Sequence, residues 1–518
     1  MSDFVASASR PAVGQGSIAG LARILSSRWL GLAFMAAAVA SQSLGHHNGD
    51  NSWLFTVAEK TLDGARPYVD VIESNPPAAF LFHAPAIVFA RAVHVSVEFA
   101  ASAMVFAWCV ACIALSGFIL RRARLVADAE SGFLLNAAVF AFAFLPGFSF
   151  AEREHIACLL VLPMLATLAA RATDRAPGMP ASIVAGLIAG GAMAIKPHFA
   201  LAIVLPALYL IARRRSLAPA FAPEMLAALA AVIANVGAIW FFFPDYFVIA
   251  PATFDVYVPL REPWSYLLLE TWFLLNIILL ATLPVAFGRA SLAPRVAMPA
   301  LASAGFVIAY LIQGKGWVNH GLPGDELAFM AVAMGLAPTF GATSEAARAA
   351  AWGGVRRAVL FVFMPLMLSA PILFGVFLPL TGFEEYKGLT AAVARHAPPH
   401  PRVIALSPRL DVGHPLTRRL GGEWVGRPNA IWLMVFSRMF LDAGWGDAAK
   451  RARYEAYIDR DARGFREDVA MGHPDIVLVL DDPRIETAMK HPDIAAAMAD
   501  YAPVESADGV AIWTRKQR

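Results

Sequence analysis

The stretch 76–97, PPAAFLFHAPAIVFARAVHVSV, decides how the whole chain is threaded. A hydropathy window alone counts it as a membrane crossing, since a crossing helix needs about 20 mostly apolar residues. Yet it carries Pro76, Pro77 and Pro85, with His83, Arg91 and His94 spaced along it. Proline inside a helix removes a hydrogen bond and clashes with the preceding turn, and charge at membrane depth is costly. The stretch is therefore read as a helix or helices lying at the outer interface, within a first outer loop of about 45–97.

That choice sets the parity of everything after it. Eleven spans remain, near 29–44, 98–120, 131–149, 156–170, 181–195, 199–212, 224–243, 266–287, 296–313, 323–340 and 358–380. Arginine tests the count, because cytoplasmic loops carry the excess of Lys and Arg. Arg10, Arg23 and Arg28 precede the first span, and Arg121, Arg122 and Arg124 follow the second. Arg171 and Arg175, then Arg213, Arg214 and Arg215, follow the fourth and sixth; Arg289 and Arg295 follow the eighth. Arg348, Arg356 and Arg357 precede the eleventh. Every second loop is basic, as a cytoplasmic N-terminus requires; counting 76–97 would put the Arg121 cluster outside. No small-residue cleavage site follows span one, which reads as a retained signal-anchor.

Composition agrees. The 518 residues are 58% hydrophobic and 16% charged, against roughly a quarter charged in soluble domains. A formal charge of +3 is too near balance for a nucleic-acid surface. Cys109, Cys112 and Cys158 lie in apolar runs, which argues for inert packing rather than disulfide, zinc or redox chemistry. Seven Lys against 35 Arg, with abundant Ala, point to a GC-rich bacterial gene and a bacterial inner membrane.

Beyond about residue 380 the chain becomes mixed and charged, so 1–380 is read as a transmembrane domain and 381–518 as a soluble periplasmic one. Runs at 403–406, 476–480 and 510–514 read as strands, with 448–458 and 485–499 as helices, the latter interrupted at Pro492. The fold class is an α-helical polytopic membrane protein with a small C-terminal α/β or α+β domain.

Outside the arginine clusters, ionisable residues gather in the outer loops: Asp50, Asp63, Asp70 and Glu73; Glu152, Arg153, Glu154 and His155; Lys196 and His198; Asp245, Asp255, Arg261 and Glu262; Lys315 and His320, followed by Asp325 and Glu326. Charge abutting apolar runs generally faces a cavity or a partner. Carboxylates can act as general base, and Lys, Arg and His can hold an anion such as a lipid-borne phosphate. Each piece also has a plain structural reading. Asp50 can cap a helix, 152–155 can be an interfacial salt cluster, Lys196 can snorkel, and 313–317 can be a glycine turn with a Trp anchor. Convergence on one face is what favours a site.

The runs Asp50-Asn51-Ser52-Trp53, Gly64-Ala65-Arg66-Pro67-Tyr68-Val69-Asp70 and Asn75-Pro76-Pro77 resemble the first-loop signature of the GT-C glycosyltransferase superfamily. Glu152-Arg153-Glu154-His155, Lys196-Pro197-His198 and Gln313-Gly314-Lys315-Gly316-Trp317 with His320 resemble its bacterial members. So does the C-terminal Glu423-Trp424-Val425-Gly426-Arg427-Pro428 with Trp432. Ala151-Glu152 stands where that pattern has Gly-Gln, and Asn319 where it has an aromatic. The resemblance implies a sugar donor linked to polyprenyl phosphate, a glycan, lipid or protein acceptor, and a site on the periplasmic face. It implies Asp50 as catalytic base, with Asp70 and Glu73 binding acceptor or supporting the site, and inversion at the anomeric carbon. Arg153, His155, Lys196, His198, Lys315 and His320 would bind the donor phosphate. No cofactor is required; a divalent metal is compatible with Asp50 and Asp70, though no metal-ligand spacing supports one.

Two rivals come from other classes. A secondary transporter or flippase predicts charges near the midplane and paired broken helices. A membrane-anchored binding or sensor protein leaves the loop motifs unexplained.

Overall fold

The computed structural model describes residues 20, 22–44, 47–341, 369 and 386–516; the eleventh predicted span and the boundary at 380 lie outside the described residues. Each other predicted span falls on a helix or a pair of helices. Among the described residues, six helices are individually long and apolar enough to cross a bilayer. The third span is the helix Asp128–Val139 continued by a π-turn over Phe140–Phe144. The eighth is broken at Glu270, whose carboxylate accepts from Trp272 N and starts the helix Thr271–Phe287. Arg153–Arg171 is the central post, with Arg153 through Ala170 all buried.

Stretch 76–97 forms the short helices Ala78–Leu81 and Ala84–Val93. Together they make one short apolar helical run, Ala78–Val93, below the length of the six crossing helices. The tenth helix runs Val318–Gly341, starting before the expected 323, so His320, Asp325 and Glu326 sit on the helix and are buried rather than in a loop. At the arginine-rich end the pairs Arg171–Glu224 at 2.5 Å and Arg295–Glu130 at 2.9 Å tie helix ends together.

The C-terminal unit is a five-stranded mixed sheet flanked by helices. Strands β1 (Arg402–Leu406), β2 (Glu423–Trp424), β3 (Ile476–Leu480), β4 (Tyr501–Ala507) and β5 (Val510–Arg515) lie in the order β2-β1-β3-β5-β4. β1 pairs in parallel with β2 and β3, and β5 pairs antiparallel with β3 and β4. Side chains alternate across a strand, and the two faces serve different partners. Val403, Ala405, Ile476, Leu478 and Ile512 pack with Trp53, Leu54 and Val57 of the helix Gly49–Leu62. Ile404, Leu406, Val477 and Val479 pack with the helices Trp432–Asp442 and Ala448–Gly472. Helix Ala448–Gly472 extends well past the expected 458, and Pro492 does split 485–499, beginning the helix Pro492–Met498.

The sheet unit is fastened to the loops by polar contacts as well. Arg418 pairs with Glu59 and, at 2.7 Å, with Glu98; Lys60 Nζ donates to Trp424 O at 2.7 Å; Arg453 meets Asp255 at 2.7 Å. The helix Gly49–Leu62 is thereby clamped between the bundle and the sheet, which fixes where its first turn points.

Candidate active site

Four loop segments meet at the end of the bundle opposite the arginine clusters. Asn48, not Asp50, caps the helix Gly49–Leu62: its side chain accepts from Asn51 N at 2.9 Å. Asp50 is thus released from capping, and its Oδ2 accepts from Arg153 Nη2 at 2.7 Å. Arg153 is buried while the Asp50 side chain keeps 22% exposure, so the pair opens toward solvent on the aspartate side.

The 151–155 segment arrives by a tight turn. Ala151 has φ 66°, a left-handed conformation that glycine adopts freely and alanine only at about 1–2 kcal/mol. This gives a physical reason why a glycine would suit that position. Next, Glu152 accepts from the side-chain amides of Asn48 and Asn319. Burial, with Asp50 and Glu154 alongside, pushes its carboxyl well above the usual range, favouring the neutral acid. Glu154 Oε1 accepts from Lys196 Nζ at 2.5 Å and lies 3.5 Å from His320 Nε2, while Lys196 also donates to Gln313 Oε1 at 2.9 Å.

Asp50 and Glu154 are paired with Arg153 and Lys196. Lys315 is held by loop carbonyls instead of a carboxylate. Its Nζ donates to the carbonyls of Tyr257, at 2.6 Å, and Leu260, and lies 3.9 Å from the centre of the Tyr257 ring. Burial, reinforced by Arg261, lowers its ammonium to about 8. Gly314 and Gly316, at φ 64° and 69°, bracket it; a Cβ would strike the Arg261 guanidinium at 2.8 Å and the Tyr266 ring at 2.4 Å, respectively. Tyr257 in turn feels the charges of Arg153, Asp50, Glu154 and Glu73, which links the Lys315 turn to the Asp50 cluster.

The expected residues thus sort into three groups. Asp50, Arg153, Lys196 and His320 are joined directly through Glu154 and its neighbours. Around them, Lys315 is connected through Tyr257, His198 lies against Gln313, and Glu73 is buried, accepting from Trp53 Nε1 at 2.5 Å one turn beyond Asp50. Two stand apart. Asp70 is exposed and closes a turn with Arg66, accepting from its backbone N at 2.8 Å. His155 is buried with Nδ1 accepting from Ala151 N at 3.2 Å and Nε2 at 2.9 Å from Phe142 O, so neither nitrogen is left for a phosphate.

Asp50 is paired with Arg153, and Asp70 with Arg66. No group of three or more His, Cys, Asp or Glu among the described residues is placed to hold a metal. Sequence reading gave no role to Asn48 or Asn319 and did not single out Tyr257. The asparagines are uncharged and escape a census of ionisable groups, and Tyr257 belongs to no motif.

Fold and site together define a polytopic membrane protein with a buried ionic cluster beneath a docked sheet unit. The same fold is found in ArnT from Cupriavidus metallidurans. Its crystal structure bound to undecaprenyl phosphate aligns at a TM-score of 0.52 and 13% identity, covering 97% of this chain and 98% of that one. The apo ArnT structure aligns at 0.51 and 14% identity, covering 96% and 98%. No family model matches the chain, and no curated protein matches it. At this identity the likeness is one of fold.

Proposed function

We propose that the protein is a membrane glycosyltransferase that moves one sugar from a polyprenyl-phosphate donor to an acceptor hydroxyl at the periplasmic face, with inversion. In this reading the acceptor oxygen attacks the anomeric carbon. The bond from that carbon to the phosphate oxygen breaks with its electron pair leaving on phosphate, and the acceptor proton passes to Asp50. Arg153 holds Asp50 Oδ2 and leaves Oδ1 for the proton, which requires the acceptor oxygen within about 2.6–3.2 Å. Lys315, the cation without a carboxylate partner in the cluster, meets the donor phosphate by exchanging loop carbonyls for phosphate oxygens, stabilising charge as it develops. Lys196 and Arg153 set the shape of the site. Inversion is supported because the carboxyls around Asp50 are engaged: Glu154 by Lys196, Glu152 by two amides and Glu73 by Trp53 and Asn75, with Asp70 held by Arg66.

The observation that carries this reading is that consecutive residues hold two bonded sets side by side, Arg153 on Asp50 and Glu154 on Lys196, which also reaches Gln313, in a fold shared with a protein crystallised on undecaprenyl phosphate. Its test is release of polyprenyl phosphate from a panel of polyprenyl-phosphate sugars by the purified protein, with NMR of the product to read anomeric configuration. One observation favours a transporter instead: Asp325 and Glu326 are buried inside a membrane helix, at 1% and 0% exposure. Solute or lipid movement in liposomes with no donor turnover would support that alternative.

A further inference from the structure

A second cavity, of about 360 Å³, lies where the C-terminal unit meets the loops, and it is built from the Trp424–Trp432 stretch that the chemistry above does not use. We infer that this cavity holds the sugar acceptor as a neutral saccharide, an assignment that rests on the transferase reading. Its volume falls in the range of small-ligand sites.

Three features select the ligand class. The charged groups lining the cavity are Arg427, Arg460 and Arg463 against Asp461, Glu467 and Asp468, so the formal charges cancel. An anionic lipid headgroup calls for surplus cations, whereas uncharged hydroxyls bond to both signs. Two indoles line it: Trp424 forms a fixed wall, packed on His414 with its Nε1 donating to Pro428 O, while the half-buried Trp432 offers a flat apolar surface suited to the C–H face of a pyranose. Thr253 Oγ1, another lining atom's owner, is buried with no hydrogen-bond partner among the described residues, leaving a hydroxyl to be satisfied. An extended peptide fits less well, because the backbone beside the cavity is already paired: Ile72 N donates to Arg427 O at 2.8 Å.

The cavity is also wired to the catalytic cluster. Trp432 packs edge-on against Tyr257, ring centres 6.0 Å apart, and Tyr257 carries Lys315. On the other side, Ser74 lines the cavity and follows Glu73, which holds Trp53 one turn from Asp50. Arg427 is fixed as a wall by Asp468, at 2.6 Å, and Glu467, at 2.8 Å.

The test uses the full chain in detergent with maltotriose, cellotriose and tri-N-acetylchitotriose as probes, read by saturation-transfer NMR and calorimetry. At least one trisaccharide binds the wild type. Asn429→Trp, which fills the cavity, and Arg460→Ala, which removes donors from it, each weaken that binding at least tenfold, whereas Lys490→Ala on the exposed surface does not. Thermal unfolding shows whether Asn429→Trp is folded; if it is not, Arg460→Ala carries the test. Turnover of a polyprenyl-phosphate sugar with no trisaccharide bound, or with both cavity variants binding as wild type, overturns the inference and leaves the transferase. Trisaccharide binding lost in the variants, with no donor turned over, keeps the saccharide cavity and removes the transferase. Preference for a Ser/Thr peptide or a short-chain phosphatidylglycerol over every trisaccharide, abolished by the same variants, overturns the saccharide assignment.

Discussion

The pair Glu154–Lys196 joins two loops at the centre of the site, and breaking it is expected to be expensive. Its oxygen and nitrogen are 2.5 Å apart, with side-chain exposures of 0% and 10%. Two unit charges about 4 Å apart at an effective dielectric of about 20 interact by about 4 kcal/mol. Removing one partner of a buried pair costs about 3–5 kcal/mol, because the survivor is left uncompensated. Lys196→Met is therefore expected to cost about 3–5 kcal/mol, and Glu154→Gln to be similarly disruptive. In Glu154→Gln, Gln313 Oε1 still accepts from Lys196, which places that variant at the lower end. Glu154→Gln/Lys196→Met removes both charges and is expected to cost no more than the worse single variant, a coupling of at least about 2 kcal/mol. Unfolding in mixed detergent, run as a double-mutant cycle, reads this directly. Additivity of the two changes to within about 0.5 kcal/mol would refute the buried pair.

Three further outcomes follow from the same geometry. Burial places Lys315 at about 8 in the free protein, so kcat/KM for the donor should fall as pH rises through 8 and the ammonium is lost, while Lys315→Arg shifts that fall upward. Because the folded value is depressed, the folded chain binds fewer protons than the unfolded one from about 8 toward 10.5, and this residue makes the fold more stable as pH rises through that window. Asp70→Asn should change donor turnover less than twofold, since Asp70 is exposed and tied to Arg66; a loss of tenfold or more would return it to the site. His155→Phe should leave donor KM within threefold yet lower stability by about 1–3 kcal/mol, the cost of orphaning the buried Ala151 N–H and Phe142 carbonyl.

Much of the architecture was legible because membrane spans are written in length, and the prolines of 76–97 marked where the two short helices fall. The start of the tenth helix was misjudged because Pro323 reads as a helix beginning, while the true first turn, Val318 to Leu322, includes Asn319 and His320. Sequence also named most of the charged residues that the structure gathers at the candidate site, since charge beside apolar runs is rare. It could not say which charges neutralise one another. Lys196, expected at the donor phosphate, has Glu154 against it, and His155, expected in the same role, has both nitrogens on backbone groups. Asp70 shared a motif with Asp50 but not its surroundings, because chain proximity does not fix which way a turn faces. The docking of the sheet on the helix Gly49–Leu62 is a long-range contact without any local signal.

The central claim, that Asp50 accepts a proton while sugar leaves polyprenyl phosphate, is tested most directly by one assay. Purified protein and Asp50→Asn are given radiolabelled polyprenyl-phosphate sugars in liposomes, and free polyprenyl phosphate is counted. The account predicts turnover by the wild type and a loss of about 10²–10⁴-fold in Asp50→Asn, the usual contribution of a general base. Turnover by Asp50→Asn within tenfold of wild type, or a wild type that cleaves no donor yet moves a lipid or solute across the membrane, would contradict it.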